Sequence, residues 1–163
     1  MEGISVRRAG PIDAAGIAEV YNQGIEDRIA TFETRLRTAA EIEQWFRGNH
    51  PIVVCTRGEA VAAFAATFPY RDRACYAGIA EFSVYVARGF RSQGLGRMAL
   101  LQLIDQARAA GFWKLLSRIF PENEASRRLV ASVGFREVGF YQKHGQLDGV
   151  WKDVVIVERL LHP

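Results

Sequence analysis

The chain has 163 residues, 49% of them hydrophobic and 24% charged, which is the makeup of one folded domain and argues against a disordered chain. The net charge of +3 is too small and too dispersed for a nucleic-acid surface, yet it suits a polyanionic small molecule. No apolar run approaches the roughly eighteen residues of a membrane span. The start Met1-Glu2-Gly3-Ile4-Ser5 lacks a basic segment followed by an apolar one, so a cytoplasmic protein with no membrane partner is expected, with one domain over residues 1–163. Cys55 and Cys75 show no CxxC spacing, and His50, His144 and His162 are scattered. No disulfide framework or metal site is therefore expected, and both cysteines read as core or near-core residues.

In chain order, Ile4 to Arg8 alternates apolar and polar and predicts a strand. Gly10-Pro11-Ile12-Asp13 opens a helix with Asp13 as its N-cap. Thr31-Phe32-Glu33-Thr34 reads as loop, and Thr38-Ala39-Ala40-Glu41 is a capping box that starts a second helix through Trp45 and Phe46. Ile52–Thr56 and Val61–Phe68 flank Arg57-Gly58-Glu59-Ala60 as a hairpin. After the loop Pro69–Cys75 comes a strand ending at Val86, then a helix from Arg97 to Ala110 with Leu100, Leu103, Ile104 and Ala107 on one face. Lys114–Phe120 is a further strand and Asn123–Val133 a short helix closed by Gly134. Two last strands, Phe135–Lys143 and Lys152–Leu160, bracket the turn Leu147-Asp148-Gly149. The order βααβββαβαββ predicts an α/β domain with a mixed sheet flanked by helices.

One stretch carries chemistry. Arg91-Ser92-Gln93-Gly94-Leu95-Gly96 lies between the strand Glu81–Val86 and the helix beginning near Arg97. A strand, a glycine-rich turn and a helix N-terminus make a pocket for a pyrophosphate. The glycines permit close approach and positive φ, and the first helical N–H groups point at the anion. Arg88, Arg91 and Arg97 make the local field positive. The pattern is neither GxGxxG nor GxxxxGK[ST], which argues against a dinucleotide or a nucleoside triphosphate.

Arg-x-x-Gly-x-Gly resembles the acetyl-coenzyme A signature of the GNAT N-acetyltransferases, and the resemblance runs from Val6 to Leu161. Within that family the chain is similar to the phosphinothricin acetyltransferase group, through Thr31–Thr34, Pro69–Arg73, Ala80–Val86 and Gly134-Phe135. It is more similar still to the arsinothricin-resistance branch, through Cys75–Phe82, Gly111–Leu115 and Lys143–Asp153. The resemblance implies the GNAT fold, acetyl-CoA as cosubstrate, no metal and Glu81 as the catalytic carboxylate. It implies that the backbone of Val84, Tyr85 and Val86 pairs with the pantetheine arm. Arg91, Ser92, Gln93, Gly94, Leu95, Gly96 and Arg97 would hold the pyrophosphate, with Asn123 and Ser126 beside the pantetheine. Arg71 and Arg73 match a basic pair that reads the acidic end of an amino-acid substrate, with Phe32 and Tyr76 lining the acceptor pocket. The group is commonly dimeric, so a homodimer through the last strands and Trp151 is expected by analogy. Where many family members carry a tyrosine as general acid this chain has Val130, which leaves Tyr141, Tyr85 or water for that role.

Acetyl transfer to an amine needs the neutral amine, and a carboxylate beside the cofactor takes its proton, directly or through water. No Cys-His or Ser-His pairing is visible in the sequence, so direct transfer is expected, with backbone N–H near Val84 facing the oxyanion. His144 reads as a plain surface residue. The expected acceptor is a glutamate analogue with a methylphosphinate- or methylarsinate-type side chain, such as phosphinothricin or arsinothricin. Methionine sulfone, methionine sulfoximine or a peptide N-terminus is the alternative acceptor, and a non-catalytic acetyl-CoA sensor the alternative class.

Overall fold

The computed structural model describes residues 3–162; Met1, Glu2 and Pro163 lie outside the described residues. The elements follow the expected order: β1 (Ile4–Arg8), α1 (Ala14–Asp27), α2 (Ala39–Glu43), β2 (Ile52–Arg57), β3 (Ala60–Pro69), β4 (Ile79–Val86), α3 (Leu95–Ala109), β5 (Lys114–Ile119), α4 (Glu124–Ser132), β6 (Arg136–Leu147) and β7 (Val150–Leu160). The strands form one sheet in the spatial order β1-β2-β3-β4-β5-β7-β6. Every pairing is antiparallel except β4 with β5.

Helices cover both faces of the sheet. Ile17 of α1 and Ile42 of α2 pack with Ile52, Val54 and Phe64 on one side. Leu100, Leu103 and Ile104 of α3, and Val130 of α4, pack with Val53, Cys55 and Ala65 on the other. The central strands read as continuous apolar runs because both of their faces are buried. The α3 stripe lies inward as its spacing predicts, each Leu or Ile contributing about 1.5–3 kcal/mol of burial. Gly111 ends that segment at φ +94, a torsion that glycine adopts without cost.

Four local expectations are corrected. Asp13 does not cap α1 with its side chain: Arg7 of β1 takes the carboxylate through two bonds of 2.8 and 2.7 Å, and Gly10 N–H donates to it at 2.9 Å. The Thr38–Glu41 capping box is present, but α2 tightens to a 3₁₀ turn over Gln44–Arg47. There Trp45 packs against Tyr21 and Phe68. The β6–β7 hairpin is longer than expected, because Asp148 and Gly149 (φ +51 and +79) make a two-residue turn that lets pairing run to Leu147 and Val150. Cys55 is buried as expected, whereas Cys75 is exposed on the loop before β4.

Candidate active site

The parallel pairing of β4 with β5 is short. It covers Ile79–Glu81 against Lys114–Leu116 and then stops, while β5 stays with β7 along its whole length. Ser117 closes the end of the ladder, its hydroxyl donating to the Phe82 carbonyl at 2.8 Å. Beyond that point β4 keeps β3 on one edge and has no strand on the other. The Phe82 carbonyl faces the opening, so by the alternation of an antiparallel pair the N–H and C=O of Val84 face it too. Glu81 stands where the strands part.

On the α3 side of this parting runs a groove of about 330 Å³, lined by Val84, Tyr85, Val86, Arg91, Ser92, Gly94, Gly96, Arg97, Asn123 and Ser126, among others. Gly94 holds φ +80 at the start of α3, with open space where a Cβ would stand. Gly96 lies against the walls: a Cβ there would be 3.3 Å from both Leu129 and Val86. Asn123 caps α4 by accepting from Ser126 N–H, and its amide donates to the Ile29 carbonyl, so it ties α4 to the loop after α1. A strand edge free to pair, a helix N-terminus with unpartnered N–H groups and Arg97 together fit a molecule with an amide-bearing arm and a pyrophosphate.

On the other side Glu81, Ser83 and Tyr85 project from alternate positions of β4 into a cavity of about 430 Å³. Tyr21, Phe32, Trp45, Phe64, Phe68 and Phe120 make its apolar walls. Its charges are balanced, with Glu33 and Glu81 against Arg37 and Arg118. Arg37 is held on both sides: Asn22 of α1 bonds its backbone N–H and C=O at 2.8 and 2.9 Å, and its guanidinium meets Glu33 at 2.6 Å. Arg118 Nη2 lies 3.2 Å from Glu81 Oε1. A small pocket of about 50 Å³ sits between groove and cavity and shares Ala30 and Tyr85 with both.

Burial raises the Tyr85 phenol well above its ordinary range, with Tyr21 and Glu33 adding to the effect, so it stays protonated. It can donate a hydrogen bond but is not poised to release its proton. Tyr141 lies against His144 with tilted rings at the exposed outer strand β6, in a shallow pocket that Glu81 does not line. Val130 is buried in the α3–α4 core and supplies no hydroxyl.

The structure thus brings together Glu81, Phe32, Val84–Val86, Arg91, Ser92, Gly94, Gly96, Arg97, Asn123 and Ser126. Gln93 is outside the groove's lining, and the Leu95 side chain is packed in the core, as the first inward residue of α3 must be. Arg91 lines the groove but also pairs with Asp27 at 2.6 Å, and Arg88 pairs with the same carboxylate, so the loop is less positive than its own sequence suggests. Both arginines lower the Asp27 pKa. Arg71, Arg73 and Tyr76 do not line the cavity: Arg71 lies over Tyr70 and Arg73 over Tyr76 on the loop before β4. Tyr70 chiefly raises the Arg71 pKa, and the Glu81 charge adds to the effect. Sequence reasoning missed Arg37 and Arg118. The polar pair Ser117-Arg118 interrupting the apolar run of Leu115, Leu116 and Ile119 was the available signal for the second.

A model of the Acetyltransferase (GNAT) family matches residues 17–135. The chain belongs to that family. As a GNAT protein it is an acyltransferase with the mixed sheet and flanking helices expected of the fold. It is similar to a phosphinothricin N-acetyltransferase of Streptomyces coelicolor, with 32% identity over 97% of this chain and 96% of that one. It is also similar to an L-methionine sulfoximine/L-methionine sulfone acetyltransferase of Pseudomonas aeruginosa, with 33% identity over 98% and 95% of the two chains. Among solved structures, a Salmonella typhimurium protein with its cofactor acetyl-CoA matches at a TM-score of 0.93 and 28% identity, covering 99% of this chain and 95% of that one. A phosphinothricin acetyltransferase of Sinorhizobium meliloti in complex with acetyl-CoA matches at 0.89 and 28%, covering 97% and 88%. No described helix is long and apolar enough to cross a membrane.

Proposed function

We propose that this protein moves the acetyl group of acetyl-CoA to the α-amino group of a free amino acid, with Glu81 as general base. The observation that carries the reading is the position of Glu81. It stands at the parting of β4 and β5, lining a half-open cavity with aromatic walls, across the strand from a groove with a free strand edge. Acetyl-CoA supplies an acyl carbon activated as a thioester. Val84 to Val86 pair with its pantetheine arm, the N-terminus of α3 and Arg97 receive its pyrophosphate, and Asn123 and Ser126 flank the arm. Glu81 takes the ammonium proton, the freed amine nitrogen forms the new C–N bond, the C–S bond breaks, and the proton left in excess on nitrogen passes through water to the departing thiolate to give coenzyme A. Val84 N–H is the donor free to face the thioester oxygen.

The acceptor we propose is a glutamate analogue of the phosphinothricin or arsinothricin kind, so that acetylation detoxifies it. Support comes from the relative named for phosphinothricin and from Arg71, whose charge is near enough to interact with that of Glu81. Methionine sulfone or sulfoximine is the second reading. It is favoured by the relative named for those substrates and by the cavity's apolar walls with balanced charges. Thiol release from acetyl-CoA with phosphinothricin, arsinothricin, methionine sulfone and a short peptide decides between them. The first reading expects the first two to lead, and a lead by the sulfone replaces it with the second. We further assign the exposed Phe140, Val150 and Trp151 of the β6–β7 face to contact with a second copy in the cytoplasm. A monomer by equilibrium sedimentation would remove that assignment.

A further inference from the structure

We propose that the Glu81–Arg118 ion pair is the receptor for the head group of a free α-amino acid, Glu81 taking the amino group and Arg118 the α-carboxylate. The proposal rests on the reading of acetyl transfer given above and adds the chemical class that the site admits. The two side chains come from neighbouring strands just where their pairing ends, and they meet at 3.2 Å. Both line the cavity, and Arg118 also lines the small pocket between cavity and groove.

The two arginines of the cavity differ in how far they are committed. Arg37 already has Glu33 at 2.6 Å, Glu41 at 3.9 Å and the Arg35 carbonyl. Among the described residues, the Arg118 guanidinium meets Glu81 and no other acceptor. A guanidinium carries five N–H donors, so most of its capacity is open. The pair is also partly exposed, with 41% of the Arg118 side chain and 26% of that of Glu81 accessible, and such pairs contribute little in water. Exchanging it therefore costs little.

An α-amino acid carries an ammonium and a carboxylate on one carbon. Its ammonium replaces Arg118 against Glu81, and its carboxylate replaces Glu81 against Arg118. Each new contact is a charge-assisted hydrogen bond, and the planar fork of Arg118 holds a carboxylate with two parallel bonds. The exchange leaves the amine beside the carboxylate that removes its proton. An amine without the carboxylate, or a peptide N-terminus, offers Arg118 no anion. Arg118 then stays on Glu81 and keeps the base occupied.

The test compares each acid acceptor with its own carboxamide, which keeps the amine and removes the anion. Phosphinothricin or L-methionine sulfone is used, whichever the wild type turns over faster, and kcat/KM for acid over amide is measured in wild type, Arg118→Ala and Arg118→Lys. Comparing ratios between enzymes cancels the different amine basicities of acid and amide. The ratio should fall at least about tenfold in Arg118→Ala and less in Arg118→Lys, with acetyl-CoA affinity unchanged. An unchanged ratio, with both acceptors losing equally, assigns Arg118 a merely structural role and overturns the proposal. Should the alanine variant not fold, the lysine variant decides: a ratio equal to wild type overturns the proposal. Wild type that uses the amide as well as the acid also overturns it while leaving acetyl transfer standing. Wild type that acetylates neither refutes the proposed function itself, and the head-group assignment with it.

Discussion

The groove and the cavity share Ala30 and Tyr85 and lie on either side of β4, but are built from different material. The groove offers backbone between apolar walls: a strand edge without a partner, a helix N-terminus, and glycines that keep the surface low. Four of its residues, Arg91, Ser92, Gly94 and Gly96, fall within six consecutive positions. The cavity is made of side chains from α1, the loop before α2, the 3₁₀ turn at Trp45, and strands β3, β4, β5 and β7. Backbone recognition suits a cosubstrate that never changes, because the chemistry of an amide or a phosphate is matched by N–H and C=O groups of any residue. Side-chain recognition suits an acceptor that distinguishes relatives, because one substitution alters charge or shape without moving the chain.

The sharpest way to break this division is at the shared boundary. Glu81→Gln should lower kcat by roughly 10² to 10⁴, the range for a lost general base, with acetyl-CoA affinity unchanged. Calorimetry and steady-state kinetics on the same preparation check both halves; a loss of cofactor affinity of the same size would mean that Glu81 belongs to the groove. Next is Gly94→Val. A β-branched residue at φ +80 costs about 1–3 kcal/mol of strain, and the side chain occupies the open space before α3. Acetyl-CoA affinity should fall roughly thirtyfold or more, the loss of one or two charge-assisted contacts, with a lowered Tm. Unchanged affinity in a folded variant removes the phosphate assignment.

Arg73→Ala and Arg71→Ala come third. Both side chains lie outside the cavity's lining, so their effect on an acidic acceptor is through field rather than contact. Their kcat/KM for phosphinothricin should fall severalfold, and less so at high salt. A salt-independent fall of thirtyfold or more would mean that the loop reaches the acceptor directly. The smallest effect concerns the ion pairs behind the cavity. Arg35 holds the Glu41 pKa down to about 2. A carboxylate depressed in this way contributes stability that is present above its unfolded value, near 4.5, and lost as pH falls from there to about 2. Glu41→Gln should therefore flatten the acid dependence of stability in that window. A variant whose Tm falls between pH 4.5 and 2 as steeply as wild type would contradict this.

The same division explains what the sequence disclosed. The order of all eleven strands and helices was legible because apolar period, capping box and glycine stops are local signals. Gly94, Gly96 and Arg91 were legible as groove residues for the same reason, since the loop that carries them is contiguous. Asp27, which neutralises part of that loop, was not, because it lies 64 residues before Arg91. Of the residues expected at the acceptor pocket, Phe32 lines the cavity and Arg71, Arg73 and Tyr76 do not, while Arg37 and Arg118, which do, went unseen. The direction of a side chain leaving a loop is set by what packs beneath it, here Tyr70 and Tyr76 under the two arginines, and no periodicity reports that.

The central claim is that groove and cavity are filled together and that acetyl passes directly between their occupants beside Glu81. Initial velocities measured over a grid of acetyl-CoA and amino-acid concentrations test it most directly. Direct transfer predicts double-reciprocal lines that intersect, with N-acetyl amino acid and coenzyme A released in equal amounts. Parallel lines, with an enzyme heavier by one acetyl group when acetyl-CoA alone is added, would place a covalent intermediate between the two regions and contradict the account.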